Sequence, residues 1–343
     1  MEILDKSQYD EYEEFVSHHK NGELTQSVLW QNVKNNWKFE AVVSRDKNGK
    51  IQGSCGVLIR KLPIVPTTFM YVPRGPICDW HNEAILKDLK SGLDTLAKKY
   101  KAQVVKIDPY ISVNDREFAD IMKKMGFKRF YDEVGFETIQ ARFNYVLNVK
   151  DKTEEDILKG MTQKARYNLR YSTRHDITVK VGSASDLDEF MRIYKVTGER
   201  DGFSIRPKDY FERMLAMGED KVRLYMGYYK DKAVCGAITS NYASKCSYIY
   251  GASDNAYRQY MPNYLMQYEM IKWALETKCE IYDFQGIAGD IENTENPMYG
   301  LYRFKKGFGG EIVELLGEYD YEYKPFMCRL MDFGMKLRKG RNK

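Results

Sequence analysis

A run of basic and aromatic residues near the middle of the chain is the first candidate for chemistry. It spans residues 164–174 and reads KARYNLRYSTR. Arg166, Arg170 and Arg174 are spaced i, i+4 and i+8, so a helix would present their guanidinium groups along one face, with Lys164 before them and two tyrosines alongside. This composition suits contacts to the phosphates and bases of a single-stranded RNA end. An ordinary charged helix face is the alternative.

A pair of adjacent lysines is the second candidate. Lys305 and Lys306 lie in the segment LYRFKKGFGG, which reads as a short helix ended by Gly307. Neighbouring residues on a helix point about 100° apart, so only one of the two ammonium groups can face a site. From the sequence alone, two solvated surface lysines are the plainer interpretation.

The remaining reactive residue types exclude several classes of site. The four histidines are scattered, and no HxxxH or HExxH spacing occurs, which argues against zinc and against a histidine-based triad. None of the six cysteines forms a CxxC pair, and most lie in apolar runs, so we expect buried, reduced thiols. We therefore predict no metal site and no organic cofactor.

Composition indicates a folded protein of about two domains. The chain has 343 residues, 43% of them hydrophobic and 30% charged, so it can bury a sizeable core. The net charge of +5 is too small for a dedicated nucleic-acid binder, so basic function must come from local clusters. No apolar run is long enough for a transmembrane helix, and the acidic start lacks a signal-peptide pattern.

An internal repeat organises the elements that must position these residues. Residues 39–59 read as a hairpin, followed by the strand TFMYVP, a helix over 82–100, the strand QVVKIDP and a helix ended by Gly126. Residues 222–242 start the same order again, with the strand CSYIYGAS, the helix PNYLMQYEMIKWALETK and the strand EIYDFQGI. A short helix and a final hairpin follow. The sequence therefore predicts two halves, each a mixed sheet flanked by helices.

The two halves are expected to meet at a charged stretch. KDKTEED, at residues 150–156, is typical of a linker, so we predict domains at 1–150 and 151–343. Helices are expected near 155–173, 184–200 and 208–217. The terminal segment KPFMCRLMDFGMKLRKGRNK reads as a basic amphipathic helix with a frayed end, which packs on the domain or contacts a membrane surface or RNA.

The repeat resembles the core of the GNAT-type N-acyltransferase fold, and several segments resemble the Fem family more specifically. These segments are LTQSVLWQNVKNNW, KARYNLRYSTRHDITV, RPKDYFERM, YRQYMPNYLMQYEMIKWALE and YRFKKGFGGEIVELLGEYD. The resemblance implies an α+β fold of two tandem GNAT-like domains. It also implies an aminoacyl-tRNA-dependent peptidyl transferase that adds cross-bridge residues to peptidoglycan precursors. By default we expect a monomer, located in the cytoplasm or at the inner face of the membrane.

The resemblance points to the compact FemX-like type. Larger relatives carry a coiled-coil arm in the second hairpin, where this chain has only YYKDKAVCG. The compact type implies the soluble acceptor UDP-N-acetylmuramoyl-pentapeptide, whereas the larger types are associated with the lipid-linked precursor. The acceptor thus stays open between the two, and the amino acid transferred is not specified.

An ordinary acetyl-CoA site is not apparent in either half. Such a site needs a glycine-rich turn at the start of the long helix, where backbone amides cradle the pyrophosphate. This chain reads RQYMPN at the matching place, and Pro262 also lacks an amide hydrogen. Because this turn is missing, a GNAT-type transferase with a small-molecule donor is only the second hypothesis. A non-catalytic module that binds tRNA or a nucleotide sugar is the third.

The resemblance also assigns roles to individual residues. Lys305 matches the family's functional lysine, with Lys306 as the alternative or as a tRNA contact. Lys34 and Arg206 match positions that hold the acceptor's diphosphate, and Tyr210 and Tyr250 match aromatic positions of the same site. Asp108, at a strand end, resembles an acidic residue considered as a general base, although capping of the Pro109 turn is the alternative. Arg74 is a further candidate substrate contact. The residues assigned to tRNA binding are Lys164, Arg166, Arg170, Arg174 and Lys306.

Overall fold

The structure is a computed structural model that describes residues 1–63, 65–130 and 138–330. These residues form two compact units, each built on one mixed β-sheet. One unit comprises the described residues of Met1–Asp132 and Leu315–Lys343, and the other comprises those of Glu133–Glu314.

The strands follow one another along the chain with short connections or single helices between them. In chain order they are β1 (Glu2–Ile3), β2 (Lys38–Arg45), β3 (Ile51–Lys61), β4 (Thr68–Val72), β5 (Ile77–Cys78), β6 (Ala102–Ile107), β7 (Lys128–Phe130), β8 (Phe143–Asn148), β9 (Ile177–Gly182), β10 (Val222–Tyr229), β11 (Lys232–Tyr242), β12 (Lys245–Ser253), β13 (Ile281–Gly286), β14 (Glu311–Glu314) and β15 (Glu318–Glu322).

The helices lie between these strands. In chain order they are α1 (Tyr9–His18), α2 (Trp30–Val33), α3 (Glu83–Tyr100), α4 (Arg116–Lys124), α5 (Glu154–Gly160), α6 (Gln163–Arg174), α7 (Leu187–Asp201), α8 (Lys208–Leu215), α9 (Pro262–Glu276) and α10 (Tyr299–Lys306). Short 3-10 turns occur at Lys6–Gln8, Leu24–Gln26, Ala184–Asp186 and Asn255–Tyr260.

The sheet of the first unit has the strand order β1-β2-β3-β4-β6-β15-β7, and β5 pairs with β3. β4 and β6 run parallel, and such a pair needs a crossover connection, which here contains helix α3. The side chain of Asn82 caps this helix by accepting a hydrogen bond from the Ile85 amide. Leu86, Leu89 and Leu93 on one face of α3 are buried in the core of the unit.

The sheet of the second unit has the strand order β14-β8-β13-β12-β11-β10-β9. Its parallel strands β12 and β13 are connected by helix α9. Pro262 is the first residue of α9, a position where its fixed φ suits the helix and its missing amide hydrogen has no intrahelical role. Met270, Ile271 and Trp273 of this helix are buried in the core of the unit.

The predicted internal repeat is present in both units. The order β2-β3-β4-α3-β6 in the first unit corresponds to β10-β11-β12-α9-β13 in the second. Each half forms an antiparallel hairpin, a third antiparallel strand, a helix and a strand parallel to the third. Tyr229 pairs with Lys232 across the turn between β10 and β11, so this hairpin carries no arm.

The predicted boundary at residue 150 differs from the division in the structure. Strand β8 pairs with β13 and β14 of the second sheet, and the amides of Val149 and Lys150 both donate to the Glu280 carbonyl. Thr153 and Asp156 form a reciprocal capping box that opens α5. The charged stretch read as a linker is therefore the start of a helix within the second unit.

The predicted hairpin after Gly307 is wrong. Strand β14 pairs with β8 in the second sheet, whereas β15 pairs with β6 and β7 in the first. Leu315 and Leu316 between them are buried, and the Leu316 amide donates to the Ile111 carbonyl at 2.8 Å. These contacts lead the chain from one sheet to the other, so the two consecutive strands are not partners.

The six cysteines are all buried and unbridged, as their apolar surroundings predict. In the terminal segment, residues 325–330 are helical, and the rest of the predicted amphipathic helix lies outside the described residues. Across the described parts of the chain, no helix combines the length and apolar character that a bilayer crossing needs.

Candidate active site

Lys305 lies on helix α10 with its side chain directed into the protein. Only 2% of Lys305 is exposed, and Tyr302, one turn earlier, is also buried. Lys306 is exposed instead, and its ammonium lies 5.5 Å from the centre of the Tyr302 ring. Since neighbouring positions on a helix differ by about 100°, the helix face that buries Lys305 leaves Lys306 outside. The structure thus distinguishes the two adjacent lysines by burial.

Two backbone carbonyls hold the Lys305 ammonium. Its Nζ donates to the carbonyl oxygens of Gln285 at 3.0 Å and Gly286 at 2.7 Å. Gln285 has a left-handed φ of 62°, and its amide donates to the Asp283 carboxylate at 2.7 Å. The pairing of β13 with β8 shifts register between Asp283 and Gly286. This irregularity turns the carbonyls out of the ladder and towards the lysine.

Burial is the main influence on the charge of Lys305. It lowers the pKa of Lys305 to about 7, while the Asp283 carboxylate acts in the opposite direction. Near neutral pH the group therefore exists as both ammonium and amine. The ammonium has three hydrogens, and the two carbonyls occupy two of them. The third can be donated to a developing negative charge or to a leaving oxygen.

Arg206, Tyr210 and Tyr250 form one cluster in the second unit. The Arg206 guanidinium lies 5.5 Å from the ring centre of Tyr210, and the Tyr250 hydroxyl donates to the Tyr210 hydroxyl at 3.2 Å. Burial raises the pKa of Tyr210, so its phenol stays neutral. Arg206 itself is exposed. The cluster therefore offers a guanidinium, backed by two tyrosines, to an anionic ligand.

Asp108 is buried in the first unit, and its carboxylate is hydrogen-bonded to two residues earlier in the chain. Its carboxylate accepts hydrogen bonds from the Tyr71 hydroxyl at 2.7 Å and from the Arg74 amide at 2.6 Å. Burial raises the pKa of Asp108 to about 6, and the Arg74 guanidinium opposes this shift. The carboxylate thus stabilises the turn at Arg74. The structural role expected from the sequence was different, namely capping of the Pro109 turn.

Arg74, the further candidate substrate contact, is also buried. Only 6% of it is exposed, and its guanidinium lies 5.5 Å from the Tyr110 ring centre. Its φ of 55° falls in the left-handed region, so the hydrogen bond from its amide to Asp108 supports a costly backbone conformation. In this structure Arg74 is therefore part of the support around Asp108.

Lys34 follows the short helix α2 in the first unit. Its amide donates to the Trp30 carbonyl at 3.0 Å, and its ammonium lies 5.8 Å from the Trp30 ring centre. The Lys34 side chain is half-buried. Lys34 and Arg206 belong to different units, and their shared role at an acceptor diphosphate stays a prediction.

Helix α6 carries the predicted arginine row, but its members differ in their surroundings. The Arg166 guanidinium donates to the carbonyls of Leu158 at 3.1 Å and Lys159 at 3.2 Å, and also to that of Met161. It therefore caps the end of α5. Lys164, Arg170 and Arg174 are exposed. The three guanidinium groups thus differ in their surroundings, and a role of the row in tRNA binding stays a prediction.

The sequence interpretation missed the residues that hold Lys305. Asp283, Gln285 and Gly286 read only as the polar end of the strand EIYDFQGI. A glycine and two polar side chains that break an apolar strand can indicate a bulge, which is the signal that was present. The orientation of the two carbonyls towards Lys305, which lies on helix α10, depends on the tertiary structure.

Known proteins resemble this chain over nearly its whole length. Residues 8–243 and 228–335 match the model of the FemAB family. A lipid II:glycine glycyltransferase of Staphylococcus epidermidis is 28% identical over 379 aligned residues, covering 91% of this chain and 90% of that protein. The crystal structure of FemX superposes with a TM-score of 0.87 at 26% identity, covering 96% of this chain and 99% of that one.

A more distant structure shows the fold alone. A tandem GNAT protein from the clavulanic acid biosynthesis pathway superposes with a TM-score of 0.56 at 10% identity, covering 93% of this chain and 97% of that one. The expected fold class is confirmed: it is mixed α/β, with two GNAT-like domains that each contain a mixed sheet flanked by helices.

Proposed function

Because this chain belongs to the FemAB family, we propose that it is an aminoacyltransferase of peptidoglycan cross-bridge synthesis. In this proposal it moves an amino acid from aminoacyl-tRNA to the stem-peptide amine of a peptidoglycan precursor. The observation that carries the proposal is the buried Lys305, whose ammonium is held by two carbonyls and titrates near neutral pH. Glycine is the first donor residue to test, since a similar protein is named for glycine transfer to lipid II.

The reaction is the aminolysis of an ester, and it balances without a covalent enzyme intermediate. The neutral acceptor amine attacks the ester carbonyl, a C–N bond forms, and the negative charge moves to the carbonyl oxygen. The C–O bond to the ribose then breaks, the ribose oxygen gains a proton, and the amine nitrogen loses one. Lys305 supplies the third ammonium hydrogen to the oxyanion or to the leaving ribose oxygen.

Arg206 and Lys34 are proposed to hold the acceptor's diphosphate. Arg206 presents an exposed guanidinium that Tyr210 and Tyr250 support, and Lys34 is a half-buried lysine of the first unit. A planar guanidinium suits bidentate contact with phosphate oxygens, and an ammonium suits a point contact. In this view the first unit contributes to acceptor binding, and the second contributes catalysis and tRNA binding.

The donor tRNA is assigned to the exposed cations of the second unit. Lys164, Arg170, Arg174 and Lys306 are available for phosphate contacts, whereas Arg166 acts by holding the end of α5. Asp108 and Arg74, both buried, are proposed as positioning residues of the first unit in place of a general base and a direct substrate contact.

The acceptor is proposed to be either the soluble UDP-N-acetylmuramoyl-pentapeptide or the lipid-linked precursor. The two-residue turn between β10 and β11 favours the compact type and the soluble acceptor. The similar lipid II:glycine glycyltransferase favours the lipid-linked acceptor. Its alignment runs over 379 residues, more than this chain contains, so that protein has residues without a counterpart here.

A transfer assay tests the proposed function. The protein is incubated with labelled aminoacyl-tRNAs in turn, glycyl-tRNA first, and with each acceptor in separate reactions. Label on the stem peptide with one aminoacyl-tRNA supports the proposal and identifies the amino acid and the acceptor together. The absence of product with every pair, alongside acyl-CoA-dependent acylation of the same acceptors, would contradict it and favour a transferase with a small-molecule donor.

A further inference from the structure

Six aromatic rings form a continuous row on the second unit, which we call the aromatic ladder. Its members belong to α6 and the residue after it, to the end of β10, and to the 3-10 turn Asn255–Tyr260. The ring centres are 6.0 Å apart for Tyr167–Tyr171, 3.8 Å for Tyr171–His175, 6.2 Å for His175–Tyr260, 4.4 Å for Tyr260–Tyr229 and 5.7 Å for Tyr229–Tyr257.

The rings of the ladder are near-parallel and partly exposed. Its successive rings are inclined by only 11° to 44°, so their faces are turned in similar directions. Two neighbouring pairs, Tyr171–His175 and Tyr229–Tyr260, are stacked, so each ring of a pair covers one face of the other. Tyr167 is 57% exposed, and the other members are half-buried. The ladder is therefore a partly exposed surface feature, and Tyr167 at its end is its most exposed ring.

Cations accompany the ladder along its length. Arg170 and Arg174, both on α6, are exposed, and each directly precedes a ladder residue in the sequence. At the other end, Lys230 lies 5.4 Å from the ring centre of Tyr229, and Lys232 lies 5.1 Å from that of Tyr257. The carboxylates of Asp176 and Asp231 are also exposed here, so the cations exceed the anions. An anionic ligand with flat apolar groups fits this surface.

We propose that the aromatic ladder binds single-stranded RNA. Bases would stack on the ring faces that neighbouring rings leave uncovered, first that of the exposed Tyr167, and the flanking arginines and lysines would contact the phosphates. Proteins bind unpaired strands by this combination without reading their sequence. Tyrosine stacking tolerates every base, so the surface would accept any sequence. Neutral sugars and lipid tails would not use the cations, and an acidic peptide would not use parallel ring faces.

The ladder is connected to the helix that carries Lys305. The amide of Thr162, the cap of α6, donates to the Gly307 carbonyl at 2.9 Å, directly after α10. At a rise of about 1.5 Å per residue, Tyr167 lies roughly 8 Å along α6 from this contact, and His175 roughly 20 Å. The RNA would therefore run along α6, away from its contact with α10. We identify this RNA as the unpaired end of the donor tRNA, and that identification rests on the proposed function.

The direct test measures binding of a labelled single-stranded oligocytidine RNA of about eight nucleotides by fluorescence anisotropy. We expect Tyr167→Leu and Tyr260→Leu each to weaken binding by about fivefold or more, because a stacking face is lost. Tyr167→Phe keeps the ring and should bind within about twofold of the wild type. Phe326→Leu, a change at a 77% exposed aromatic residue of the first unit, is the matched control.

Three results of the binding measurement would overturn the inference. The first is saturable RNA binding that both leucine variants retain unchanged, and the second is no saturable binding by the wild-type protein. Circular dichroism of each variant establishes that it is folded, and the exposure of Tyr167 makes that substitution mild. A loss shared by Tyr167→Phe would also overturn it, since a hydroxyl contact and not stacking would then explain the binding.

The same variants separate this inference from the proposed function. If the transfer assay succeeds and the leucine variants raise the KM for aminoacyl-tRNA without changing the KM for the acceptor, both are supported. If transfer succeeds with an unchanged KM for tRNA in these variants, the ladder inference is overturned alone. If no transfer occurs with any substrate pair but ladder-dependent RNA binding is present, the inference is supported and the proposed function fails.

Discussion

The Nζ atom of Lys305 lies 2.7 Å from the carbonyl oxygen of Gly286, at the irregularity where β13 departs from its pairing with β8. This bond and its companion to Gln285 fix the ammonium at one position inside the second unit. Burial there lowers the pKa of Lys305 to about 7. Lys305 therefore changes its protonation state within the physiological pH range. The first predictions below follow from this titration.

The rate of transfer should reveal the titration of Lys305. As pH rises towards 7, deprotonation of the acceptor amine increases the rate, because an ordinary lysine-type amine titrates near about 10.4. Above about 7 the Lys305 ammonium is lost in proportion, since its pKa is lowered to that value, so the two effects cancel and the rate levels off. Single-turnover rates from pH about 5.5 to 8.5 should therefore bend near 7.

Lys305→Arg is the control for this profile. Arginine stays protonated throughout the range and cannot act as a base, so the variant should keep partial activity and its rate should continue to rise above pH about 7. A bend at the same pH in the variant would assign the titration to another group. A variant without any activity would instead favour a role for the neutral Lys305 amine.

Asp283→Asn should move the bend to lower pH. The Asp283 carboxylate favours the ammonium form of Lys305, so its replacement by a neutral side chain of similar shape lowers the pKa of Lys305 further. The same pH series measures the shift, and Glu276→Gln, a change at an exposed carboxylate of the same unit, is the control. A bend that stays in place or moves to higher pH would contradict the assigned coupling.

Arg206→Gln and Lys34→Ala should impair use of the acceptor more than use of tRNA. Loss of a charge-assisted contact to phosphate costs about 1.5–3 kcal/mol, so the KM for the acceptor should rise about tenfold or more. Steady-state kinetics with each substrate varied in turn measures this. Arg213→Gln, which removes an arginine paired with Asp209 on the same helix as Tyr210, is the control. An equal loss towards both substrates would remove these residues from a diphosphate site.

Arg166 should behave differently from Arg170 and Arg174. The double change of Arg170 and Arg174 to Gln should reduce the salt dependence of tRNA affinity, by about one unit of slope for each charge removed. Arg166→Gln should leave the slope unchanged and lower the free energy of unfolding by about 1 kcal/mol, because it removes bonds to the carbonyls of α5. Equal slopes in the two variants would refute this division of the row.

The local elements could be predicted from the sequence because their signals are local. The alternation of apolar residues on either side of Asp46–Lys50 predicted the hairpin of β2 and β3, and Pro262 indicated the start of α9. The repeat of hairpin, strand, helix and strand then indicated the fold class. The helix expected near 155–173 is helical in the structure but is divided into α5 and α6, with Met161 and Thr162 extended between them.

The pairing of distant strands could not be predicted in this way. The sequences of β14 and β15 resemble a hairpin, but their partners β8 and β6 precede them by many residues, and only the folded sheets decide between the two pairings. The same reason applies to the site. The carbonyls of Gln285 and Gly286 carry no side-chain signal, and the contact of Arg166 with α5 appears only once the two helices are packed.

The most direct test of the central claim is the single-turnover rate of transfer from aminoacyl-tRNA, measured side by side for the wild type, Lys305→Met and Lys306→Met. Methionine fills the buried site of Lys305 without its charge, so the fold should be kept. The account predicts a loss of about 100-fold or more for Lys305→Met, the range for loss of one group that stabilises an oxyanion, and a change of less than about tenfold for Lys306→Met. A Lys305→Met variant that is folded and transfers at the wild-type rate would contradict the account.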